Sequence, residues 1–251
     1  MITRKELTAY LDDYLAIEDV PDWKEAYNGL QVEGSVEVYR LALAVDACVY
    51  TIERAAAGGA QMLLVHHGLF WGAKAPVTGN YHRRLSVLLK NDLNLYSSHT
   101  PLDAHLEVGN NPVLARLLRL PISERWGRVQ GVPLGVYCDC TLPLTELSAR
   151  LTATLGAVPR VIATGPDQTH RIGIITGAAS SSIPEAIATG IDTFITGEAP
   201  HHAYFDAEEN GLNLILAGHY ATETVGVQAL GRHLHDKFGL ESFFINHPTG
   251  L

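Results

Sequence analysis

Histidine and carboxylate side chains at the ends of apolar runs are the residues of this sequence best suited to chemistry. His66 and His67 follow the apolar run 63–65, and His219 and Glu223 come shortly after a second run. Each run has the length and composition of a buried strand. Ligands of open α/β sheets bind beyond the carboxyl ends of the strands, and imidazole and carboxylate groups are ligands that divalent metals prefer. The pattern therefore predicts a metal site.

The predicted ligand set combines three imidazoles with two carboxylates, namely His66, His67, Asp103, His219 and Glu223. A single zinc ion is satisfied by about four protein ligands, so this set suits two divalent ions better than one. Two ions about 3.5–4 Å apart need a bridging group, and either carboxylate can bridge. A helical turn over 219–223 would bring its two ligands to one side, whereas Pro101 predicts a loop at Asp103.

An internal repeat supports a shared site for residues so far apart in sequence. Both copies alternate strand, helix, strand, helix and strand, at 41–45, 49–57, 61–65, 85–90 and 93–96, and at 171–175, 182–188, 192–196, 202–209 and 212–216. Both copies also close with a histidine followed four residues later by an acid, His99 with Asp103 and His219 with Glu223. A helix that connects two successive strands of one sheet implies that these strands are parallel, so we expect mostly parallel strands.

The predicted fold is therefore α/β, with two intertwined βαβ-type halves related by a pseudo-two-fold axis and flanked by helices. The first half is 1–124, with the HHG and HTPLD segments, and the second is 125–251, with the TGE and GHYATE segments. With 251 residues, 47% of them hydrophobic, the chain can bury a large core. No Pro/Ser/Gly-rich linker separates the halves, so we expect them to interlock around one dimetal site.

Most of the 12 histidines are expected to be ordinary surface or hydrogen-bonded core residues. His99 and Glu198 are the candidate catalytic groups, because either side chain could move a proton. Glu198 also occupies the repeat position of His67, which predicts that it faces the same cavity. His201 and His202 are weaker candidates for groups that orient a ligand or contact a substrate.

Charge and composition exclude several classes of partner. The net charge is -9, which argues against nucleic acid or an anionic membrane as the main partner. No apolar run approaches the ~20 residues that span a bilayer, and the first residues lack the apolar core of a signal peptide. We therefore expect a cytoplasmic protein. Three cysteines without paired spacing predict no disulfide framework. We expect Cys138 and Cys140 to be buried thiols rather than a pair of metal ligands.

Motifs for other chemistries are missing from the sequence. It contains no GxxxxGK[ST] phosphate-binding loop, no GxGxxG after a strand and no GxSxG around a nucleophilic serine. A serine hydrolase and a P-loop nucleotidase are therefore disfavoured. The chemistry of the chain is expected to depend on its histidines and carboxylates.

Five segments together resemble the Nif3-like dinuclear metal-centre proteins, also called GTP cyclohydrolase I type 2 homologues. They are NGLQV at 28–32, VHHGL at 65–69, SHTPLD at 98–103, TGE at 196–198 and GHYATE at 218–223. The resemblance implies two intertwined α/β halves and a dimetal site with its ligands at His66, His67, Asp103, His219 and Glu223. It also implies a homohexamer built as a trimer of dimers. Some members carry a domain inserted in the middle of the chain, and we do not expect that domain within these 251 residues.

The function that follows is a metal-dependent hydrolase in which two divalent ions activate a water. Zinc, iron and manganese all suit the ligand types. A nucleotide or another phosphorylated small molecule is the expected substrate class, and the cyclohydrolase name implies attack on the imidazole ring carbon of a purine nucleotide. Two alternatives use the same ligands, a metal carrier or insertase without turnover and a scaffold that its metals stabilise.

Overall fold

A computed structural model of the chain describes residues 1–71 and 76–251. The chain forms two compact units, Met1–Val108 with Gly226–His247, and Gly109–Val225 with Pro248–Leu251. The contacts thus assign 109–124 to the second unit, where the Asn111 side chain donates to the Leu134 carbonyl oxygen at 2.9 Å and accepts from the Thr176 amide at 2.7 Å. The halves 1–124 and 125–251 stay a prediction about domain organisation.

The first unit is built around a five-stranded sheet. Its elements are β1 (Ile2–Thr3), α1 (Arg4–Tyr14), β2 (Gly29–Val32), β3 (Glu37–Val38), β4 (Arg40–Asp46), α2 (Val49–Ala57), β5 (Met62–His67), α3 (Gly79–Lys90), β6 (Asn94–Ser97), α4 (Thr100–Ala104) and, near the C-terminus, β13 (Glu241–Phe244). The strand order is β13-β4-β5-β6-β2, in which only β2 is antiparallel to its neighbour. The carboxyl ends of β4, β5 and β6 therefore lie at one edge of the sheet.

The second unit is built around a six-stranded sheet. Its elements are α5 (Asn110–Leu117), β7 (Glu124–Val129), β8 (Val132–Pro143), α6 (Leu144–Leu155), β9 (Arg160–Ile162), β10 (Gln168–Ile174), a 3-10 turn at Ser180–Ser182, α7 (Ile183–Ala188), β11 (Thr193–Thr196), α8 (Ala203–Glu209) and β12 (Asn213–Leu216). The order is β7-β8-β10-β11-β12-β9, with β10, β11 and β12 parallel and the outer strands antiparallel. The long helix α9 (His219–Phe238) begins in this unit and continues into the first.

The α/β fold class predicted from the sequence is confirmed. Both copies of the repeat fold as β-α-β-α-β with three adjacent parallel strands, and an antiparallel strand lies beside the third one, β2 in the first unit and β9 in the second. Each central strand is buried, as expected for strands covered by helices on their faces. Both sheets are mixed, because the first has one antiparallel edge strand, β2, and the second has antiparallel strands on both sides of its three parallel ones.

A buried asparagine joins the loop at the start of the first unit to its sheet. Asn94, at the start of β6, has no exposed surface. Its side-chain oxygen accepts from the Gly34 amide at 2.7 Å, and its Nδ2 donates to the carbonyl oxygens of Ser35 and Gln61 at 2.9 and 2.8 Å. Because a buried amide is costly unless it is hydrogen-bonded, this satisfied network specifies how the loop packs.

Asn213 has the same role at the equivalent position of the second unit. It lies at the start of β12, is fully buried, accepts from the Gly165 amide at 2.9 Å and donates to the Pro166 carbonyl oxygen at 2.8 Å. The repeat therefore preserves a buried polar contact as well as the order of elements.

Replacing Asn94 by alanine is expected to lower the free energy of unfolding by about 2–4 kcal/mol, because its buried side chain loses three hydrogen bonds to the backbone. Urea unfolding followed by circular dichroism measures this change. The matched control is Asn91→Ala, since the exposed Asn91 follows helix α3 and its side chain only donates to the Val87 carbonyl oxygen of that helix. Equal losses for both variants would contradict the role assigned to Asn94.

Two further expectations concern the thiols and the membrane. Cys48, Cys138 and Cys140 are all free thiols, and burial, with smaller contributions from Cys140 and Asp139, raises the pKa of Cys138 to about 12. In the metal-free protein this thiol is therefore protonated at neutral pH. Within residues 1–71 and 76–251, no helix combines the length and apolar character that crossing a membrane requires.

Candidate metal centre

His66 is the most buried histidine at the carboxyl edge of the first sheet. It lies near the end of β5 with no exposed surface. Its Nδ1 is 3.0 Å from the carbonyl oxygen of Ser98, the residue after β6. Because a carbonyl oxygen only accepts, Nδ1 carries the proton and the lone pair is on Nε2. This is the tautomer in which a histidine presents Nε2 to a metal.

His67 is held in the same way by a carboxylate. Asp46 ends β4 directly beside His67 in the sheet register, and its Oδ1 lies 2.8 Å from His67 Nδ1. The pair places the lone pair of His67 on Nε2 as well. A histidine whose Nδ1 donates to a carboxylate while Nε2 binds a metal is a common arrangement in zinc sites.

His99 is the third imidazole of the group, and Asp22 holds it. Its Nδ1 lies 2.9 Å from Asp22 Oδ1. The same carboxylate accepts hydrogen bonds from the backbone amide and the hydroxyl of Thr100, at 3.0 and 2.6 Å, and from the side-chain amide of Asn28 at 2.8 Å. Burial raises the pKa of Asp22, but the hydrogen bonds from His99, Asn28 and Thr100 outweigh it and hold that pKa well below its usual range. Asp22 is therefore ionised and orients the His99 ring.

The donor set of the first unit fits a divalent ion. His66, His67 and His99 each offer a ligand atom, and these atoms all lie within 4.8 Å of one another. The ring centroids are 4.7 Å apart for His66 and His67 and 5.0 Å for His66 and His99. Three imidazoles are a complete protein set for a catalytic zinc ion, which keeps a further position for water or substrate.

Asp103 lies beside this group, on a helix that the sequence did not predict. Its Oδ2 is 3.7 Å from His66 Nε2, and its side chain is 12% exposed. The loop expected from Pro101 was wrong, because Thr100–Ala104 forms the short helix α4 with the proline in its first turn. A proline there has no backbone hydrogen bond to lose, and the Thr100 amide donates to Asp22 instead.

A second group of metal-type ligands lies in the second unit, where helix α9 begins. His219 Nε2 is 3.2 Å from Glu223 Oε1, one helical turn further on, and His219 Nδ1 is 2.9 Å from Glu198 Oε1. The helical turn over 219–223, which was the condition for the two ligands to lie on one side, is present as the first turn of α9. The Glu223 side chain is only 4% exposed, so its carboxylate is aimed into the unit and not into solvent.

The two carboxylates determine the protonation state of His219 in the metal-free protein. The hydrogen bond with Glu223 raises its pKa, burial lowers it, and Glu198 adds to the rise, so that the pKa reaches about 9. His219 is therefore protonated at neutral pH until a cation replaces the proton. Because metals bind neutral imidazole, proton and metal compete for this side chain.

Metal binding at His219 is expected to release a proton at pH 7 and to strengthen as the pH rises toward about 9, because below that pH the metal must displace a proton from the ring. The stability of the metal-free fold changes in the opposite direction, because the pKa of His219 is higher in the folded chain than in the unfolded chain. The ion pairs of His219 stabilise the metal-free fold below pH 6.5, and that contribution is lost as the pH rises through about 9. Zinc titration calorimetry in buffers of different ionisation enthalpy measures the protons released, and Glu198→Gln should release fewer. Proton release equal to zero in the unmodified protein would contradict this assignment.

Replacing Asp46 by alanine is expected to weaken metal binding about 10–100-fold, because His67 loses the carboxylate that fixes its ring and tautomer. Competition with a chromophoric chelator measures the affinity. Asp19→Ala is the matched control, since Asp19 is an exposed carboxylate outside the group. If both variants bound metal as well as the unmodified protein, Asp46 would have no part in the site.

Within each unit the structure brings predicted site residues together. The first unit brings His66, His67 and His99 together with Asp103 beside them, and the second brings His219 and Glu223 together with Glu198. His99 and Glu198, selected as candidates for proton transfer, both lie among metal-type ligands. The weaker candidates His201 and His202 are exposed and lie outside both groups.

Two carboxylates escaped the sequence analysis, Asp46 and Asp22. Asp46 carried a usable signal, because it ends a buried strand adjacent to β5 and meets the same criterion that selected His66 and His67. Asp22 carried none, since it lies in an irregular segment 77 residues from His99.

The fold and the two ligand groups define an α/β protein with a candidate metal centre, and comparison with known proteins gives its family. Residues 2–250 match the Duf34/NIF3 (NGG1p interacting factor 3) family. The GTP cyclohydrolase 1 type 2 homolog of Deinococcus radiodurans is 43% identical over 100% of this chain and 95% of that protein. That of Pyrococcus abyssi is 43% identical over 99% of both. The crystal structure of TTHA1606 from Thermus thermophilus is 41% identical and superimposes over 100% of both chains with a TM-score of 0.92.

The chain therefore belongs to the Duf34/NIF3 family. The resemblance drawn from the five sequence segments is confirmed over the whole length of the chain.

Proposed function

We propose that the protein is a metal-dependent hydrolase in which His66, His67, Asp103, His219 and Glu223 together bind two divalent ions. The observation that carries the proposal is the triad of imidazoles in the first unit. Each ring has its Nδ1 against a fixed oxygen, of Ser98, Asp46 or Asp22, and the ligand atoms lie within 4.8 Å of one another. A histidine whose Nδ1 is held in this way presents Nε2 to a metal.

Bound divalent ions would act as Lewis acids that lower the pKa of a water and stabilise an oxyanion or phosphate. The residues of the chain would supply the rest. Glu198 accepts the hydrogen bond from His219 Nδ1 and so would orient the ring with Nε2 toward a metal. His99, oriented by ionised Asp22, is the group of the first unit that would move a proton or complete the coordination of one ion.

The substrate class that we propose is a nucleotide or another phosphorylated small molecule. The name GTP cyclohydrolase 1 type 2 homolog carried by the curated relatives makes a guanine nucleotide the first compound to test. Zinc, iron and manganese are all compatible with ligands of mixed nitrogen and oxygen type.

We further propose that the protein is a cytoplasmic homohexamer, a trimer of dimers, in line with the family resemblance of its ligand segments. Sedimentation equilibrium gives the mass directly, and a monomer or dimer at micromolar concentration would contradict this assembly.

A substrate screen on the purified protein tests the hydrolase. Nucleotides and phosphate esters are incubated with protein loaded in turn with zinc, iron or manganese, and with protein stripped by a chelator. We expect turnover of at least one compound that chelation removes and metal restores. A metal carrier would give no turnover but would transfer its metal to an acceptor apoprotein, and a scaffold would do neither while losing its oligomeric state on chelation.

A further inference from the structure

A cavity of about 490 Å³ lies in the second unit, between the edge of its sheet and helix α8. Its floor consists of two cross-strand pairs of β9 and β12, Ile162 with Leu214 and Arg160 with Leu216. Residues directly opposite in an antiparallel pair point to the same face, so the three aliphatic side chains form a continuous apolar surface. The volume is that of a small-molecule site, which typically measures about 300–1,000 Å³.

Aromatic rings of α8 form one wall of the cavity. Phe205 is 47% exposed and Tyr204 37% exposed, although both belong to a helix that packs on the sheet. The Phe205 ring meets the rings of Tyr204 and His201 edge to face, with centroids 5.4 and 5.6 Å apart. These contacts fix the Phe205 ring while leaving part of its surface open to the cavity, which suits the stacking of a planar ligand.

The positively charged group that lines this cavity is the guanidinium of Arg160. Arg160 is exposed, and among the residues that the structure describes its side chain has neither a hydrogen bond nor an ion pair. An arginine fork binds carboxylate or phosphate through two parallel hydrogen bonds, so the cavity pairs an apolar and aromatic surface with an anion-binding group.

We propose that this cavity binds an aromatic ring that carries an anionic group, with the ring on Phe205 and the aliphatic floor and the anion on Arg160. Ala199, Pro200 and His201 line the cavity and follow Glu198 directly, and Glu198 hydrogen-bonds His219. This part of the cavity wall is therefore only a few positions along the chain from Glu198, which belongs to the group of metal-type side chains in the second unit. The role of the cavity as a substrate subsite rests on the proposed hydrolase function, whereas the binding itself does not.

Phenyl phosphate is the probe that combines both features, and inorganic phosphate and benzyl alcohol each carry one of them. Binding is measured by titration calorimetry on the metal-loaded protein and on its Glu223→Gln variant, in which turnover is not expected. We expect phenyl phosphate to bind at least about tenfold more tightly than either partial probe, since ring and anion contacts add.

The variants assign each contact to its side chain. Arg160→Met should weaken phenyl phosphate about tenfold and leave benzyl alcohol unchanged, because only the anion loses its partner. Phe205→Ala should weaken both aromatic probes. Arg128→Met is the matched control, an exposed arginine on edge strand β7 of the same unit whose guanidinium donates only to the Gly131 carbonyl oxygen.

Three results would overturn the proposal. The first is equal binding of phenyl phosphate by the Arg160→Met and Arg128→Met variants, and the second is the absence of saturable binding up to about 20 mM. The third is a change of oligomeric state caused by Arg160→Met or Phe205→Ala, because the cavity would then be a contact between copies of the chain. A different result would reject only the hydrolase. If phenyl phosphate still bound to Glu223→Gln but no screen found metal-dependent turnover, the cavity would remain a binding site without the proposed reaction.

Discussion

Replacement of Glu223 by alanine is expected to abolish metal-dependent turnover, with a fall of at least about 1,000-fold, and to remove most of the bound metal. The carboxylate is buried, lies 3.2 Å from His219 Nε2 and is one of the two candidates for a bridging ligand. Its loss deprives the site of a negative charge that water cannot replace at a buried position. Elemental analysis of the purified variant gives the metal content, and the substrate found in the screen gives the turnover.

Glu209→Ala is the control for this change, because Glu209 is an exposed glutamate at the end of α8. It should retain both metal and activity. A Glu223→Ala variant that kept its full metal content would exclude Glu223 as a ligand, and one that kept its activity would exclude it from the reaction.

Gly177→Ala is expected to weaken metal binding about 10–100-fold, although Gly177 offers no side chain to a metal. Gly177 follows β10 with a φ of +69°, and a Cβ added there would collide with the Glu223 carboxylate and lie 3.4 Å from His219 Nε2. The new methyl group must push Glu223 away from its present position. The left-handed backbone adds a strain of about 1 kcal/mol to the cost.

The variant Gly156→Ala serves to separate the effect of backbone strain from the effect of displacing Glu223. Gly156 also has a positive φ, +75°, but no atom of the described chain lies within 4 Å of an added Cβ. Both variants should lose a similar amount of stability from strain, measured by urea unfolding, and only Gly177→Ala should lose metal affinity. Equal metal affinity in the two variants would show that Glu223 does not depend on the space beside Gly177.

The positions of His66, His67 and His219 could be predicted because burial determines them. An apolar run of strand length must pass through the core, and its polar end must emerge at the edge of the sheet, so these side chains were placed by periodicity alone. The repeat added the pairing of His219 with Glu223, since the spacing of four residues matches one helical turn.

The remaining contacts depend on tertiary packing that no local pattern encodes. Asp22 reaches His99 from an irregular segment, and its lowered pKa depends on hydrogen bonds from His99, Asn28 and Thr100 that exist only in the folded chain. The error at Pro101 has a similar origin. The preference of the residue before a proline for extended geometry is a local effect, and here it was outweighed by the contacts of Thr100 with Asp22 at the start of α4.

Electron paramagnetic resonance of the manganese-substituted protein tests the central claim most directly, because spins on two ions a few ångströms apart are coupled to each other. The proposed centre predicts two manganese ions per chain with a spin-coupled signal, and loss of that coupling when either His67 or Glu223 is replaced by alanine. The hyperfine pattern of isolated ions in the unmodified protein, or one ion per chain, would contradict it.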